Sequence, residues 1–346
     1  MNNETQMFCG DSAEELLKLK DNSVDMLCSD PPYGYSFMNK GWDKVLPDTQ
    51  IWRECYRVLK PGAFITIMAA PRTDVLWRIS RDLEESGFDL SFSNIEWVYH
   101  SGFPKATDIS KSIDKRFDAE REVKDKVVLP YKDKNRSPLK TEDGWNDNSM
   151  KAEFDITAPA TDLAKKYEGS KAGFQPKPAR EIIIVGMKPF EEGSYIDKVL
   201  NFEALPDNIK MTYPLIQTPK PAKKEKDFGM RGEEKKKPQR DEGQEKFNVP
   251  QKNRPTTAKN NHPTVKPIKL MSYLITLFTR PGDWVLDPFG GSGTTGLACK
   301  LLDRNHIYID FTQEYYDIAE ERFNVSKQDL KKLLKEKISN GQQELF

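Results

Sequence analysis

Apolar runs and amphipathic segments alternate along the first hundred residues of the chain. Short, continuous apolar runs over 7–9, 24–28 and 63–69 predict buried strands, each closed by turn residues. The segments 48–60 and 73–87 carry the apolar spacing of amphipathic helices. Because predicted strands and helices alternate along the chain and are joined by short connections, the pattern predicts a parallel α/β sheet.

The same alternation returns near residue 260 after a long interruption. It predicts a helix over 268–278, a buried strand over 284–286, a helix up to about 302 and a strand over 306–310. The first part of the chain alone provides only about half of a doubly wound sheet. We therefore predict a Rossmann-like doubly wound mixed sheet, built from two separated parts of the chain, with ligands beyond the carboxyl ends of its strands.

The segment between these two parts, residues 106–259, has a different character. Charged residues, proline, lysine and asparagine dominate it, and only 181–185 has the pattern of a strand. Basic residues outnumber acidic ones over 220–246. For that stretch, a solvated and partly disordered loop is favoured over a nucleic-acid-facing segment whose lysines neutralise phosphates.

Composition narrows the classes of function. Lys+Arg and Asp+Glu number 54 each in 346 residues, so any contact with nucleic acid has to come from local patches. The four cysteines include no Cys-x-x-Cys pair, and only three histidines are present, which argues against a metal site and a disulfide framework. No apolar run is long enough to span a membrane. We expect a cytoplasmic protein.

The tetrapeptide Asp30-Pro31-Pro32-Tyr33 follows the second predicted strand. Two consecutive prolines fix φ and remove two N–H donors, so the peptide leaves the strand as a stiff, extended loop. The Asp30 carboxylate and the Pro31 carbonyl can then accept hydrogen bonds from an exocyclic NH₂ group, and Tyr33 offers a ring for stacking. Taken alone, the tetrapeptide is equally consistent with a proline turn that only closes a core strand.

A second motif, DPFGGSGTT over 287–295, joins a predicted strand to a helix. Glycines let the backbone approach a ligand, which then faces the N-terminus of the helix. The glycine spacing matches neither the dinucleotide fingerprint nor the phosphate-binding P-loop. Asp310, at the end of the next strand, is suitably located to accept hydrogen bonds from two ribose hydroxyls. The motif therefore predicts a nucleoside site.

These two motifs resemble the signatures of the S-adenosylmethionine-dependent DNA amino-methyltransferases. Their order, catalytic motif first and cofactor loop last, is that of the circularly permuted β group. HPTVKP over 262–267 resembles the N-terminal cofactor motif of that group, and 97–105 resembles the motif that closes its catalytic half. Gly10-Asp11 resembles the site that meets the cofactor's adenine. The resemblance implies the permuted methyltransferase fold.

The resemblance also implies four segments. Residues 1–105 and 260–325 are the catalytic and cofactor-binding halves of the methyltransferase domain, 106–259 is an inserted, partly disordered target-recognition region, and 326–346 is a charged tail.

Two residues of the cofactor-binding half depart from the group's pattern. Asp310 replaces the usual glutamate, which shortens its reach towards the ribose. Tyr308 stands where glycine is common, so packing near the adenosine could differ.

The resemblance assigns two sets of site residues, and no metal ligand. The catalytic set is Asp30, Pro31, Pro32 and Tyr33. The S-adenosylmethionine-binding set is Asp11, Asp30, Thr264, Lys266, Asp287, Phe289, Gly291, Ser292, Gly293, Thr294 and Asp310. Two interpretations of 262–267 stay open. Thr264 and Lys266 lie near the methionine carboxylate of the cofactor, or the segment is only a polar turn before a helix. Lys40 and Trp42 could cover the base pocket as a mobile loop.

The implied reaction is methyl transfer to a base flipped out of duplex DNA. Asp30 as the first residue of the catalytic motif favours adenine N6, because enzymes that act on cytosine N4, the alternative target, more often have serine there. A catalytically inactive DNA-binding module would be expected to lack Asp30 or the glycine loop, and both are present. A protein-glutamine methyltransferase would be expected to carry the cofactor loop first. Methylation of cytosine C5 is excluded because none of the four cysteines follows a proline.

The implied partner is double-stranded DNA. A homodimer and a cognate restriction endonuclease are further partners that the resemblance allows, whereas a membrane is not expected. No feature of 106–259 indicates which DNA sequence would be recognised.

Overall fold

The structure, a computed structural model, describes residues 3–34, 45–99, 107–131, 140–141, 144–145, 150–172, 180–190, 214–232, 235–236 and 257–338. Numbered in chain order, its strands are β1 Thr5–Cys9, β2 Val24–Ser29, β3 Leu59–Ala69, β4 Ile95–Val98, β5 Thr107–Asp108, β6 Val123–Tyr131, β7 Lys140–Thr141, β8 Gly144–Trp145, β9 Met150–Thr157, β10 Lys171–Ala172, β11 Arg180–Met187, β12 Leu215–Gln217, β13 Lys235–Lys236, β14 Thr257–Ala258, β15 Trp284–Asp287 and β16 Asn305–Asp310. Its helices are α1 Ser12–Leu16, α2 Thr49–Val58, α3 Thr73–Glu85, α4 Ile109–Arg116, α5 Asp162–Lys166, α6 Lys223–Lys226, α7 Ile268–Phe278, α8 Thr294–Leu302, α9 Gln313–Phe323 and α10 Lys327–Ile338. Within these ranges, no helix combines the length and the apolar character that crossing a bilayer requires.

Eight strands form the central sheet, in the order β1-β16-β15-β2-β3-β11-β4-β12. The first five run parallel to one another. β11 lies antiparallel between β3 and β4, and β12 pairs parallel with β4. This mixed, mostly parallel sheet confirms the predicted fold class. Strands from the two ends of the chain interleave in it, as a circular permutation requires.

Both faces of the sheet are covered. Leu27 of β2 packs into an apolar cluster with side chains of α1, α2 and α3, whereas its neighbours Met26 and Cys28 pack into a second cluster with α7 and α8. Because successive side chains of a strand point to opposite faces, β2 can bury both faces only where successive residues are apolar. This explains the apolar run over 26–28, whereas Asp25 before it pairs with Lys60 (2.5 Å).

The candidate site follows from the topology. β15 and β2 are neighbours at the middle of the sheet, and their backbones pair at Val285–Met26 and Leu286–Leu27. β15 continues through α8 to β16 on one side, whereas β2 continues through α2 to β3 on the other. Since these connections leave in opposite directions, a crevice forms beyond the carboxyl ends of the two strands, where open α/β sheets bind ligands.

The chain divides into two compact units. The first comprises 1–102, 178–238 and 257–346, and the second comprises 103–177 and 239–256. The range 106–259, predicted as one insertion, therefore contributes to both units, because β11 and β12 within it belong to the central sheet of the first. In the second unit β6 pairs with β9 in an antiparallel hairpin.

Part of the stretch 220–246 is more ordered than predicted. It contains α6, whose Glu225 side chain is buried and accepts a hydrogen bond from the backbone N–H of Ile268 (2.8 Å). The first N–H groups of a helix lack partners within the helix, and a carboxylate at that end is stabilised by the helix dipole. The prediction of a solvated loop is therefore wrong for α6, which caps the start of α7.

Candidate active site

A pocket opens at the carboxyl edge of the sheet of the first unit. It bounds about 690 Å³ of space that is not filled by protein atoms and is partly open to solvent. Its lining joins the two separated parts of the chain. The lining residues are Asp30, Pro32, His262, Thr264, Val265, Lys266, Met271, Asp287, Pro288, Phe289, Gly290, Gly291, Ser292, Thr294, Thr295, Asp310, Phe311, Thr312 and Tyr315.

The glycine-rich turn packs its backbone directly against neighbouring rings. A Cβ atom on Gly290 would overlap the ring of Tyr308, whose hydroxyl donates a hydrogen bond to the Gly291 carbonyl oxygen (2.8 Å). Gly291 has a φ of 50°, and a Cβ atom there would lie 2.8 Å from His262 Nε2. The tyrosine that departs from the family pattern thus supports the loop, and Gly290 provides the space for it.

Asp287, the last residue of β15, connects three segments around the pocket. Its Oδ1 accepts hydrogen bonds from Ser29 Oγ (2.6 Å) and the Phe289 backbone N–H (3.2 Å), and its Oδ2 accepts one from Thr295 Oγ1 (2.5 Å). Burial raises the pKa of Asp287 to about 6, while these hydrogen bonds act in the opposite direction. The carboxylate fixes the end of β2 relative to the start of α8.

Asp310, at the end of β16, presents its carboxylate to the pocket. Oδ2 accepts a hydrogen bond from the Gly291 N–H (2.9 Å) and Oδ1 accepts one from the Thr312 N–H (2.8 Å). Each oxygen keeps a lone pair for a further donor. Burial raises the pKa of Asp310 above its usual value, against the effect of these hydrogen bonds.

Phe311, the next residue, also lines the pocket although it is 60% exposed, and the motifs do not include it. The signal that could have identified it is a large apolar side chain directly after a strand-end acid. Its ring offers an apolar surface beside the Asp310 carboxylate.

Both carboxylate oxygens of Asp30 have partners. Oδ1 accepts a hydrogen bond from the Tyr33 hydroxyl (2.7 Å), and Oδ2 accepts one from the Lys266 ammonium group. The Lys266 side chain is only 8% exposed. Burial alone would lower the pKa of Lys266, but the charges of Asp30 and Glu181 outweigh burial and raise it. Lys266 is therefore a buried cation beside Asp30.

Glu181, near the start of β11, is a second carboxylate in this network that the motifs do not include. Its Oε2 lies 3.5 Å from Lys266 Nζ and 3.3 Å from the Tyr33 hydroxyl oxygen, whose single proton Glu181 shares with the closer Asp30. Its Oε1 accepts a hydrogen bond from the Tyr99 hydroxyl (3.3 Å). Burial and the charges of Asp30 and Glu181 raise the pKa of Tyr33 well above its usual value. The only signal in the sequence is an acid that precedes an apolar strand.

The structure brings most of the predicted cofactor residues to one pocket. Those that line it are Asp30, Thr264, Lys266, Asp287, Phe289, Gly291, Ser292, Thr294 and Asp310. Asp11 and Gly293 are not among the lining residues. Asp11 is the N-cap of α1 and accepts a hydrogen bond from the Ala13 N–H (2.8 Å). Gly293 has a φ of 75°, and a Cβ atom there would lie 2.8 Å from the ring of Phe323.

The predicted catalytic residues divide between two cavities. Asp30 and Pro32 line the pocket described above, Pro31 is buried, and Tyr33 lines a second cavity of about 650 Å³ with Gly34, Val45, Leu46, Arg72, Asp74, Val75 and Arg78. Lys40, Trp42 and the last part of the predicted motif over 97–105 lie outside the described residues.

Arg322 of α9 is a buried residue that the sequence motifs also miss. Its guanidinium group donates hydrogen bonds to the Ser292 carbonyl oxygen (2.5 Å) and hydroxyl oxygen (3.1 Å) in the glycine loop. It also donates to the Glu225 carbonyl oxygen (3.4 Å) of α6. Burial lowers the pKa of Arg322 to about 10. This side chain holds α9, α6 and the glycine loop together.

These features fit a nucleoside cofactor. Gly290 and Gly291 line the pocket and carry no side chains, so a ligand would meet peptide backbone there. Asp310 can accept hydrogen bonds from hydroxyl groups, and Phe311 provides an apolar contact. In the described ranges, no group of three or more His, Cys, Asp or Glu side chains could hold a metal ion.

Comparisons with known proteins agree with this chemistry. The sequence model of the DNA methylase family, of the N6/N4 type, matches residues 24–321. The type II methyltransferase M.HpaI of Haemophilus parainfluenzae is 24% identical over 333 residues, which cover 93% of this chain and 74% of that protein. The type II methyltransferase M2.MboI of Moraxella bovis is 46% identical over 77 residues. That match covers 22% of this chain and only 28% of M2.MboI.

Solved structures that match the chain include the PvuII DNA methyltransferase (cytosine-N4-specific), with a TM-score of 0.49 and 19% identity over 99% of this chain and 94% of that one. The M1.HpyAVI–SAM complex has a TM-score of 0.47 and 22% identity over 93% of this chain and 100% of that one. The family match extends over most of the sequence and includes both motifs that meet at the pocket. The chain therefore belongs to the DNA methylase family, the S-adenosylmethionine-dependent DNA amino-methyltransferases.

Proposed function

We propose that the protein methylates the exocyclic N6 of adenine at a specific site in double-stranded DNA. The observation that carries the proposal is the location of Asp30. Asp30 directly follows β2, and it lines the pocket that is also lined by Asp310 and the glycine loop. A carboxylate there can accept a hydrogen bond from an amino group next to a bound nucleoside cofactor. Family membership supports the coarser part of the proposal, methyl transfer to an exocyclic amino group of DNA.

The proposed cofactor is S-adenosylmethionine, which when bound supplies an electrophilic methyl group on its sulfonium sulfur. Asp310 would accept hydrogen bonds from the ribose hydroxyls, and Asp287 would hold the glycine loop in shape. Phe289, Gly291, Ser292 and Thr294 would contact the cofactor along the loop. Thr264 and Lys266, which line the pocket, stay predicted contacts. Asp11 and Gly293, which do not line it, stay predictions from the family resemblance alone.

In the proposed reaction, Asp30 and the Pro31 carbonyl accept hydrogen bonds from the two N–H groups of the target amine, and Pro32 keeps the loop stiff. This would orient the nitrogen lone pair towards the methyl group that bound S-adenosylmethionine supplies. The nitrogen would gain the methyl group as the sulfur–methyl bond breaks to give S-adenosylhomocysteine, and it would release one proton to solvent. The residues accelerate the step by positioning and by stabilising the positive charge that develops on nitrogen.

Tyr33 has a role in this proposal that differs from simple stacking. Its hydroxyl bonds to Asp30, and the side chain lines the second cavity, next to Arg72 and Arg78. We propose that the flipped base enters from this second cavity. The two arginines would then lie beside the entering base, where they could contact the phosphates of the DNA backbone.

Adenine is favoured over cytosine on the identity of a single residue. The catalytic motif begins with Asp30 where cytosine-N4 enzymes more often have serine. Cytosine N4 is the second candidate, because its amino group presents the same two N–H donors. The same proposal includes four further parts. Residues 106–259 contain the target-recognition region, the protein forms a homodimer, it acts with a cognate restriction endonuclease, and it is located in the cytoplasm.

The proposal is tested with the wild type and the Asp30→Ala variant. Tritium transfer from labelled S-adenosylmethionine to unmethylated bacterial genomic DNA should occur with the wild type and fall at least about 100-fold in the variant. Calorimetry should show that the variant still binds the cofactor. Asp329→Ala, a change of an exposed acid on α10, is the control and should transfer methyl groups like the wild type. Transfer by Asp30→Ala at the wild-type rate would refute the role of Asp30.

A further inference from the structure

The Lys266 ammonium group donates a hydrogen bond to Asp30, the same carboxylate that accepts one from the target amine in the proposed reaction. It is a nitrogen with several N–H donors, and it donates to Oδ2 of Asp30. Its charge and its hydrogen bond both compete with those of an incoming amine. For the target amine to bind Asp30, the ammonium group has to move aside or share the carboxylate.

We propose that Glu181 is a positioning residue that takes over Lys266 when the target amine binds Asp30. The inference rests on the proposed methyl transfer. Lys266 Nζ and Glu181 Oε2 already form an ion pair at 3.5 Å, and a movement of less than about 1 Å shortens it to the length of a charge-assisted hydrogen bond. The Tyr33 and Tyr99 hydroxyls hold the Glu181 carboxylate in place for this exchange.

The balance of charges explains why two carboxylates are needed. A buried ammonium group that loses its only counter-ion is strongly destabilised. With Glu181 present, Lys266 keeps a negative partner, and Asp30 keeps a full charge towards the amine. The three groups together carry one net negative charge, which favours the positive charge that develops on the target nitrogen.

The geometry of the network favours exchange over a purely structural ion pair. Tyr33 bonds to both Asp30 and Glu181, so it links the carboxylate that Lys266 leaves to the one that it joins. The Lys266 ammonium group also lies 5.9 Å from the centre of the Tyr33 ring. Tyr33 is therefore a neighbour of the ammonium group and of both carboxylates, and the ammonium group has only a short distance to move from Asp30 to Glu181.

The test compares one single variant with one charge-balanced double variant. Glu181→Gln removes the second carboxylate, so Lys266 should stay on Asp30 and kcat should fall roughly tenfold, the value of one charge-assisted hydrogen bond. Adding Lys266→Met to Glu181→Gln restores the net charge and removes the competitor. Because Lys266 is itself a predicted cofactor contact, both variants are measured at saturating cofactor. Under that condition the double variant should have a higher kcat than Glu181→Gln.

Activity is measured as tritium transfer from S-adenosylmethionine to unmethylated bacterial genomic DNA, with cofactor affinity from calorimetry. In Glu181→Gln, which leaves every predicted cofactor contact unchanged, the cofactor dissociation constant should change less than about twofold, since the effect lies in the chemical step. Glu181→Asp, which keeps the charge, should retain a higher kcat than Glu181→Gln. Glu96→Gln is the matched control: Glu96 lies on the neighbouring strand β4, is bound to Arg180 (2.9 Å) and should not affect kcat.

The outcomes separate this inference from the function beneath it. Wild-type kcat in Glu181→Gln, or a double variant no better than the single one, would overturn the role of Glu181 alone. A purely structural role for Glu181 and Lys266 predicts that the double variant is the worse of the two. If the wild type transfers no methyl group to DNA, the proposed function fails and this inference with it.

Discussion

Asp287 shows how a single buried acid couples pH to stability. Burial raises its pKa in the folded protein to about 6 from the usual 3.8. The folded state therefore binds the proton more tightly than the unfolded state. This contribution to stability is complete below about pH 4 and is lost as the pH rises through about 6. At about 1.4 kcal/mol per pKa unit, the loss is on the order of 3 kcal/mol.

The variant Asp287→Asn removes this pH dependence. At pH 4 the free energies of unfolding of the variant and the wild type differ by some fixed amount. Between pH 4 and pH 7 this difference should shift in favour of the variant by up to about 3 kcal/mol, because only the wild type loses the contribution of Asp287. Urea unfolding of both proteins at the two pH values measures the difference. A difference that does not change with pH would contradict the raised pKa.

Gly290 tests the packing of the glycine loop on Tyr308. A methyl group at Gly290 would overlap a ring that is fully buried and cannot move aside, so Gly290→Ala should destabilise the protein by about 1–3 kcal/mol. Gly232→Ala is the matched control, because a Cβ atom there meets nothing within 4 Å. Urea unfolding compares the two. Equal stability of both variants would show that the loop is not held against the ring.

At the residue scale, the sequence predicts strand-end acids well and partners across the sheet poorly. Asp30, Asp287 and Asp310 follow apolar runs, and parallel strands bring such positions to one edge. Glu181 has no comparable mark. It follows a segment without periodicity, and only the pairing of β11 with β3 and β4 brings it to Asp30.

Between elements, the buried Arg322 is the contact that depends most on the tertiary fold. It links α9 to the Ser292 backbone of the glycine loop and to α6. The sequence predicts α9 but not this contact, because the partners lie 30 and 97 residues away along the chain. For the same reason, α6 was predicted as part of a solvated loop.

Arg322→Met should show how strongly these elements depend on one another. The change leaves the Ser292 and Glu225 carbonyl oxygens without their buried donor, so the free energy of unfolding should fall by about 2–4 kcal/mol. Cofactor affinity should fall as well, because the glycine loop loses a support. Thermal unfolding and calorimetry measure the two effects. Arg53→Met, on the exposed face of α2, should change neither.

At the scale of the molecule, the permutation is visible in the sheet itself. β1, β2 and β3 come from the start of the chain, β15 and β16 come from its end, and the pocket forms where β2 meets β15. The order of the motifs predicts this arrangement. The division of the middle segment is not predicted, because β11 and β12 return to the sheet from within a charged region without other periodicity.

The central claim is that the chain methylates an exocyclic amino group of DNA, and adenine N6 in particular. The most direct test is to express the wild type in bacteria that lack DNA methyltransferases and to sequence the modified bases in their genomic DNA. We predict N6-methyladenine at one defined sequence, and none in cells that express Asp30→Ala. N4-methylcytosine instead would contradict the choice of base, and genomic DNA without either methylated base would contradict the central claim itself.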